Sequence, residues 1–251
     1  MESSRIVLVI EYDGTNYHGF QLQVNLPTIQ EQMEKALWKL TQERIRVASA
    51  SRTDAGVHAK GQVTSFRTKS HLSLESFIKG MNYYLSGDIA VNAAYRVDNT
   101  VNIRRDAISR EYSYYILNRR MRSPLRRKFS YLVSHELDID AMKEACSMFI
   151  GKYDFVSFAS KLGVEIKNTV RSVYRAEISR KGDLTTFNIV ANSFLPHQVR
   201  NTIGSLLRVG SGRMTIDEFR SIMEAKKIGS AGPAVPACGL CLMQVNYPYT
   251  F

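Results

Sequence analysis

Asp88-Ile89-Ala90-Val91-Asn92-Ala93-Ala94-Tyr95-Arg96-Val97 carries apolar side chains at Ile89, Val91, Ala93, Tyr95 and Val97. A period of two places all five on one face of a pleated chain, so the stretch predicts a half-buried strand. Just upstream, Leu74 to Leu85 has a different period, with Phe77, Ile78, Met81 and Leu85 on one side of a predicted helix. Further back, Arg5 to Tyr12 (RIVLVIEY) is a short β-branched run that reads as a buried strand, followed by turn chemistry from Asp13 to Gly19. Thr28 and Glu31 form a capping-box signature opening a helix to about Gln42, and Ile45 to Ala50 and Gln62 to Thr68 read as strands.

The second half uses the same vocabulary. Tyr112 to Leu117 predicts a strand, Ile139 to Ile150 a helix stopped by Gly151, and Val170 to Asn192 a hairpin turning near Lys181-Gly182-Asp183. Pro196 suits the first turn of a helix whose Val199, Ile203, Leu206 and Leu207 share a face. Thr215 and Glu218 make a second capping box for a helix to Ala225. A Gly- and Pro-rich loop, Gly229 to Gly239, then leads into a strand from Leu240 to Tyr247. Strands and helices mix in both halves without a regular crossover repeat, which gives an α+β class with largely antiparallel sheets rather than a doubly wound parallel fold. A boundary is expected near Asn102 to Arg105, dividing 1–103 from 104–251.

The 251 residues carry 34 Lys and Arg against 23 Asp and Glu, a formal net charge of +11. Such an excess favours a polyanionic partner, because each basic group set against a phosphate releases a condensed counterion. Three cysteines are too few and too oddly numbered for a secreted disulfide framework. No stretch reaches the roughly 20 apolar residues needed to span a bilayer, and no signal-peptide pattern opens the chain. A cytoplasmic setting without membrane contact is the expectation.

Candidate chemistry centres on Arg52-Thr53-Asp54-Ala55-Gly56-Val57-His58. This is a carboxylate among small residues, on a loop between two predicted strands, and a nearby Arg favours its ionised form. The competing reading is a turn in which Asp54 bonds local backbone amides. Arg200, on the first turn of an amphipathic helix, could reach across a cleft or be structurally paired. From Arg104 to Lys128, nine basic residues face only Asp106 and Glu111, with Tyr112, Tyr114 and Tyr115 interleaved. Cations beside aromatic faces suit an RNA backbone and an unstacked base. Cys238-Gly239-Leu240-Cys241 has redox or half-zinc spacing, but it leads into an apolar strand and lacks a second pair, so both cysteines read as core residues. No P-loop, dinucleotide GxGxxG or HExxH pattern is present.

Five segments in order resemble the TruA-type tRNA pseudouridine synthases: Tyr12 to Gln21, Arg52 to Ala59, Arg110 to Tyr114, Phe194 to Gly210, and Ala231 to Leu240. Ser51, Pro196 and Gln198 depart from that family's usual residues. The resemblance implies isomerisation of uridine to pseudouridine at positions 38 to 40 of the tRNA anticodon stem-loop, with no cofactor or metal required by the bond changes. Asp54 would act on the ribose, by attacking C1′ or by removing the C2′ proton. Tyr112 would stack on the uracil, Arg200 would pair with Asp54, and Arg52 would place the flipped nucleotide. His58 and Leu240 would complete the substrate-binding set. Arg104, Arg105, Arg110, Arg126 and Arg127 would hold the RNA backbone. The implied fold is two ferredoxin-like (RNA-recognition-motif-like) halves sharing a mostly antiparallel sheet around a central catalytic cleft, in a homodimer that binds tRNA. Two rivals remain: a non-catalytic RNA-binding protein on the same scaffold, in which Asp54 is dispensable, and a thiol oxidoreductase using Cys238 and Cys241.

Overall fold

The computed structural model describes residues 3–160 and 168–251. Both parts of the chain are mixed α/β with mostly antiparallel strand pairing, and five α-helices occur among the described residues. No helix among them is long and apolar enough to cross a membrane. Two compact units form: residues 1–110 with Cys241–Phe251, and Glu111–Leu240. The end of the chain thus returns to the first unit.

In the first unit, β1 (Ser4–Tyr12) lies antiparallel between β3 (His58–Thr68) and β4 (Ile89–Val97), and the short β2 (Ala48–Ser49) pairs with β3. Ile6, Val7, Leu8 and Ile10 of β1 are fully buried, as expected of an apolar central strand. The helix α1 (Ile29–Thr41) starts where expected, with Thr28 Oγ1 accepting the Glu31 amide at 3.3 Å. It packs beside α2 (Leu74–Tyr84), which lies against β4. Met33 and Leu37 from α1 meet the core that also takes Phe77 and Met81 from α2.

In the second unit, Ile116 to Asn118 of β5 (Ser109–Asn118) run parallel to the short β6 (Tyr131–Val133). The chain continues through α3 (Ile139–Ser147) and β7 (Gly151–Asp154) to the hairpin of β8 (Val170–Lys181) and β9 (Leu184–Ala191). The hairpin turns at Gly182, whose φ of +61° suits the glycine found there. Two helices follow, α4 (Gln198–Gly210) and α5 (Ile216–Glu224), the latter with the full capping box of Thr215 and Glu218. An aromatic cluster holds the helices together: the Phe149 ring meets Phe158 and Phe219 edge-on, with centroids 5.3 Å away in each case.

The chain ends on β10 (Leu240–Asn246), which pairs parallel with β3 through Cys241 opposite His58 and Leu242 opposite Ala59. That pairing lengthens β3 back to His58, four residues before the expected start at Gln62. Two helix ends also differ from expectation. The α3 helix stops at Ser147, and the amides of Met148, Phe149 and Ile150 then bond three residues back in a tightened turn. The α4 helix starts at Gln198 rather than Pro196, because His197 takes a left-handed conformation (φ 58°) and Gln198 accepts the Leu195 amide at 2.8 Å.

Candidate active site

Asp54, Arg52 and His58 belong to the first unit; Tyr112, Arg200 and Leu240 belong to the second. In the first unit, residues 50–57 form the loop between β2 and β3. Buried polar groups anchor it at several points. The amide of Gln62, itself fully buried, accepts the Ser51 N–H at 3.3 Å and donates to the Ser51 carbonyl at 2.7 Å. Ser51 thus keeps both backbone groups paired with the strand that follows it. One step on, the Thr53 hydroxyl lies 2.8 Å from the Tyr12 hydroxyl, and the Thr53 carbonyl accepts the Phe20 amide at 3.1 Å. The loop closes where the Asp54 carbonyl accepts the Val57 amide at 3.2 Å and the Gly56 amide donates to Tyr17.

The turn from Asp13 to Gly19 lies directly against this loop. A Cβ on Gly14 would overlap the Val57 carbonyl, and one on Gly19 would press on the Thr53 carbonyl. Gly19 also has φ +89°, a conformation that a side chain disfavours. These two glycines allow two backbones to meet at a distance that any side chain would increase. Asp54 is half-buried at the centre of this frame, while Thr53 beside it is 7% exposed.

His58 is buried, and its Nδ1 accepts the Gly14 amide at 3.1 Å. Asp13 Oδ1 lies 3.2 Å from the same nitrogen. Because the backbone N–H points at Nδ1, that lone pair is already occupied, and we read the carboxylate as a near neighbour rather than a proton-sharing partner. His58 therefore ties the turn to β3.

Beside the loop, the first unit contains a cavity of about 570 Å³ whose lining includes Arg5, Arg46, Arg52, Arg104, Phe20 and Asn102. Burial, reinforced by the charge of Arg52, lowers the Arg104 guanidinium below its ordinary value. Arg105 is exposed and pairs with Asp106 at 3.0 Å. Arg110 is different. It is 7% exposed, and its guanidinium donates to the carbonyls of Ala50, Arg104 and Ala107. In this structure chain atoms enclose the side chain and hold its guanidinium. Arg5 and Arg46 were not singled out from sequence; the available signal was a lone Arg opening an otherwise apolar strand.

In the second unit, Tyr112 on β5 is 6% exposed and meets Phe194 edge-on, with ring centroids 5.2 Å apart and planes at 89°. Arg200, half-buried on the first turn of α4, donates from Nε to the Val235 carbonyl at 2.8 Å. The segment from Ala231 to Leu240 is held along its length. Ser205 donates to the Ala231 carbonyl at 2.9 Å, and the hydroxyl of buried Tyr114 donates to the Pro236 carbonyl at 2.8 Å. Burial raises the Tyr114 hydroxyl above its ordinary range, so it remains a donor. Leu240 is buried. Arg126 pairs with Asp183 at 2.9 Å, and Arg127 donates to the Pro124 carbonyl at 2.8 Å; both are exposed.

The cysteines lack the environment of reactive thiols. Burial raises all three, Cys146 to about 12, Cys241 to about 11 and Cys238 in the same direction. No group of three or more His, Cys, Asp or Glu side chains suited to a metal ion occurs among the described residues.

A family model described as tRNA pseudouridine synthase matches residues 8–104 and 145–248. Over 242 residues the chain is 42% identical to "tRNA pseudouridine synthase A" of Pelobacter propionicus, covering 96% of this chain and 99% of that protein. It is 40% identical over 242 residues to the protein of the same name from Acetivibrio thermocellus, with the same coverage. Against that of Clostridium kluyveri it is 41% identical over 242 residues, again covering 96% and 99%.

Proposed function

This chain belongs to the tRNA pseudouridine synthase family, and we propose that it isomerises uridine at positions 38, 39 or 40 of the tRNA anticodon stem-loop, with Asp54 acting on the ribose. The enzyme is an isomerase. In the reaction the N1–C1′ bond breaks, the uracil turns over and C5 joins C1′; C5 loses a proton and N1 gains one. Nothing is oxidised or reduced overall.

The observation that carries the assignment to Asp54 is the anchoring of its loop. Gln62, Tyr12 and the Phe20 amide hold the backbone through Ser51 and Thr53, while Asp54 itself is half-buried. A group that must meet one ribose atom benefits from being held before substrate arrives, since small misplacements are expensive in rate. In this reading Arg200 pairs with the carboxylate, Tyr112 stacks on the detached uracil, Arg52 places the flipped nucleotide, and Leu240 lines the base site. Unstacking the uridine costs a few kcal/mol, and the exposed Arg104, Arg105, Arg126 and Arg127 offset that cost through phosphate contacts. The net charge of +11 supports such a partner. We place the enzyme in the cytoplasm as a homodimer engaging tRNA. The strand order β4-β1-β3-β2, with α1 and α2 in the connections, supports a ferredoxin-like first half; β5-β9-β8 with α3 and α4 supports the same for the second.

Nucleotide-resolution mapping of pseudouridine in a tRNA transcript with uridine at 38, 39 and 40 tests this reading. New pseudouridine confined to those positions supports it; an unmodified anticodon arm contradicts it.

A further inference from the structure

We infer that the cavity lined by Arg5, Arg46, Arg52 and Arg104 is a subsite for a backbone phosphodiester of the RNA strand whose uridine meets Asp54. The inference rests on the tRNA reading above and adds Arg5 and Arg46 to its contacts. Four arginines line the cavity from four separate segments: the start of β1, the approach to β2, the Asp54 loop and the loop after β4. Among the described residues, no carboxylate lines the cavity.

The arrangement is poorly compensated from within the protein. Arg5 stands directly opposite Arg67 across the β1–β3 ladder, a like-charge cross-strand pair that disfavours the sheet. The Nε of Arg5 is shut away from solvent and has no hydrogen-bond partner among the described residues. Burial and the Arg67 charge both lower Arg5, with Asp106 opposing them. The neighbouring acids only partly offset this. Asp106 pairs with Arg105, and Glu34 pairs with Arg46 at 3.3 Å while also accepting the Val47 amide. Cations gathered against their own repulsion favour an anionic ligand.

Size and position narrow the anion's class. About 570 Å³ falls within the range of small-ligand sites. Arg52 is two residues from Asp54, so the cavity begins within roughly 7 Å of chain from the proposed reacting carboxylate. A strand with one ribose at Asp54 thus brings a neighbouring phosphate to Arg52, and guanidinium forks suit its paired oxygens.

The test uses the full-length protein and whole tRNA, measuring binding across a salt series together with kcat and KM. Arg5→Gln and Arg46→Gln are each expected to flatten the log–log salt slope by about 0.7 to 0.9, and to raise KM with kcat changed by less than about twofold. Lys at either position is expected to restore the slope. Arg46 is exposed, and its removal leaves Glu34 bonded to Val47, so Arg46→Gln tests the site even if Arg5→Gln folds poorly. A slope unmoved by Arg46→Gln overturns the inference. So does Arg46-dependent binding of free UMP, or Arg46-dependent self-association, with the tRNA slope unmoved. If wild type forms no pseudouridine yet Arg46→Gln still flattens the slope, the functional reading fails and the subsite stands. If pseudouridine forms at 38 to 40 and the slope is unmoved, the subsite alone fails.

Discussion

The hydroxyls of Tyr12 and Thr53 lie 2.8 Å apart, joining the end of β1 to the residue before Asp54, and both side chains are buried. Gln62 Nε2 donates to the same Tyr12 oxygen at 3.4 Å, so one phenol and one amide hold the loop from beneath. The fixed backbone at Thr53 leaves Asp54 little freedom to drift. Thr53→Val removes the hydroxyl partner and keeps the shape. It is expected to cost about 1 to 2 kcal/mol in denaturant unfolding and to lower kcat by about tenfold through misplacement of Asp54. Unchanged kcat in a folded variant contradicts the positioning role.

Gly19→Ala strains a φ of +89° and pushes a methyl onto the Thr53 carbonyl. A loss of about 1 to 3 kcal/mol is expected, with kcat falling alongside. Gly87→Ala, where no atom lies within 4 Å of the new Cβ, serves as the control and is expected to change stability by less than about 0.5 kcal/mol. Melting both variants in parallel checks the contrast.

Arg110 and Arg105 are neighbours in a basic stretch but have different environments. Arg110→Gln removes a buried guanidinium donating to three carbonyls, and about 2 to 4 kcal/mol of stability is expected to go with it. Arg105→Gln is expected to leave the unfolding midpoint in place and to flatten the salt dependence of tRNA binding. Equal effects of the two substitutions on stability contradict this division.

Cys238→Ser with Cys241→Ser is expected to leave pseudouridine formation close to wild type, since thiols raised by burial stay protonated at neutral pH. The sign of their pH effect follows from the shift. Burial moves Cys241 from its ordinary 9.0 to about 11 in the folded chain, so the unfolded thiol ionises first. Its contribution is complete below about pH 9 and is lost as pH rises through about 11. Unfolding measured from pH 8 to pH 11, roughly, is expected to show a smaller alkaline decline in the double variant.

Much of this architecture is legible from local sequence. The alternation through Ile89 to Val97, the run of β1 and the caps at Thr28 and Thr215 each depend on neighbours within a few residues, and the elements form where those neighbours place them. The departures come from distant partners. β3 reaches back to His58 because β10, some 180 residues later, pairs with it. The apolar pattern of α3 continues through Phe149, but that side chain turns into the aromatic cluster while the hydrogen bonding tightens. At the site, Asp54 stands out by its flanking residues, whereas burial of Arg110 and His58 is invisible to composition, which counts charges without locating them. The Arg5–Arg67 opposition likewise depends on strand register.

The most direct measurement is single-turnover conversion of uridine to pseudouridine in tRNA by wild type and by Asp54→Asn, with tRNA affinity measured in parallel. Wild-type conversion is expected within the anticodon arm, with a loss of at least about a hundredfold in the variant, while affinity holds within a few-fold and the protein remains folded. Conversion by Asp54→Asn at a rate comparable to wild type would contradict the assignment of the chemistry to Asp54.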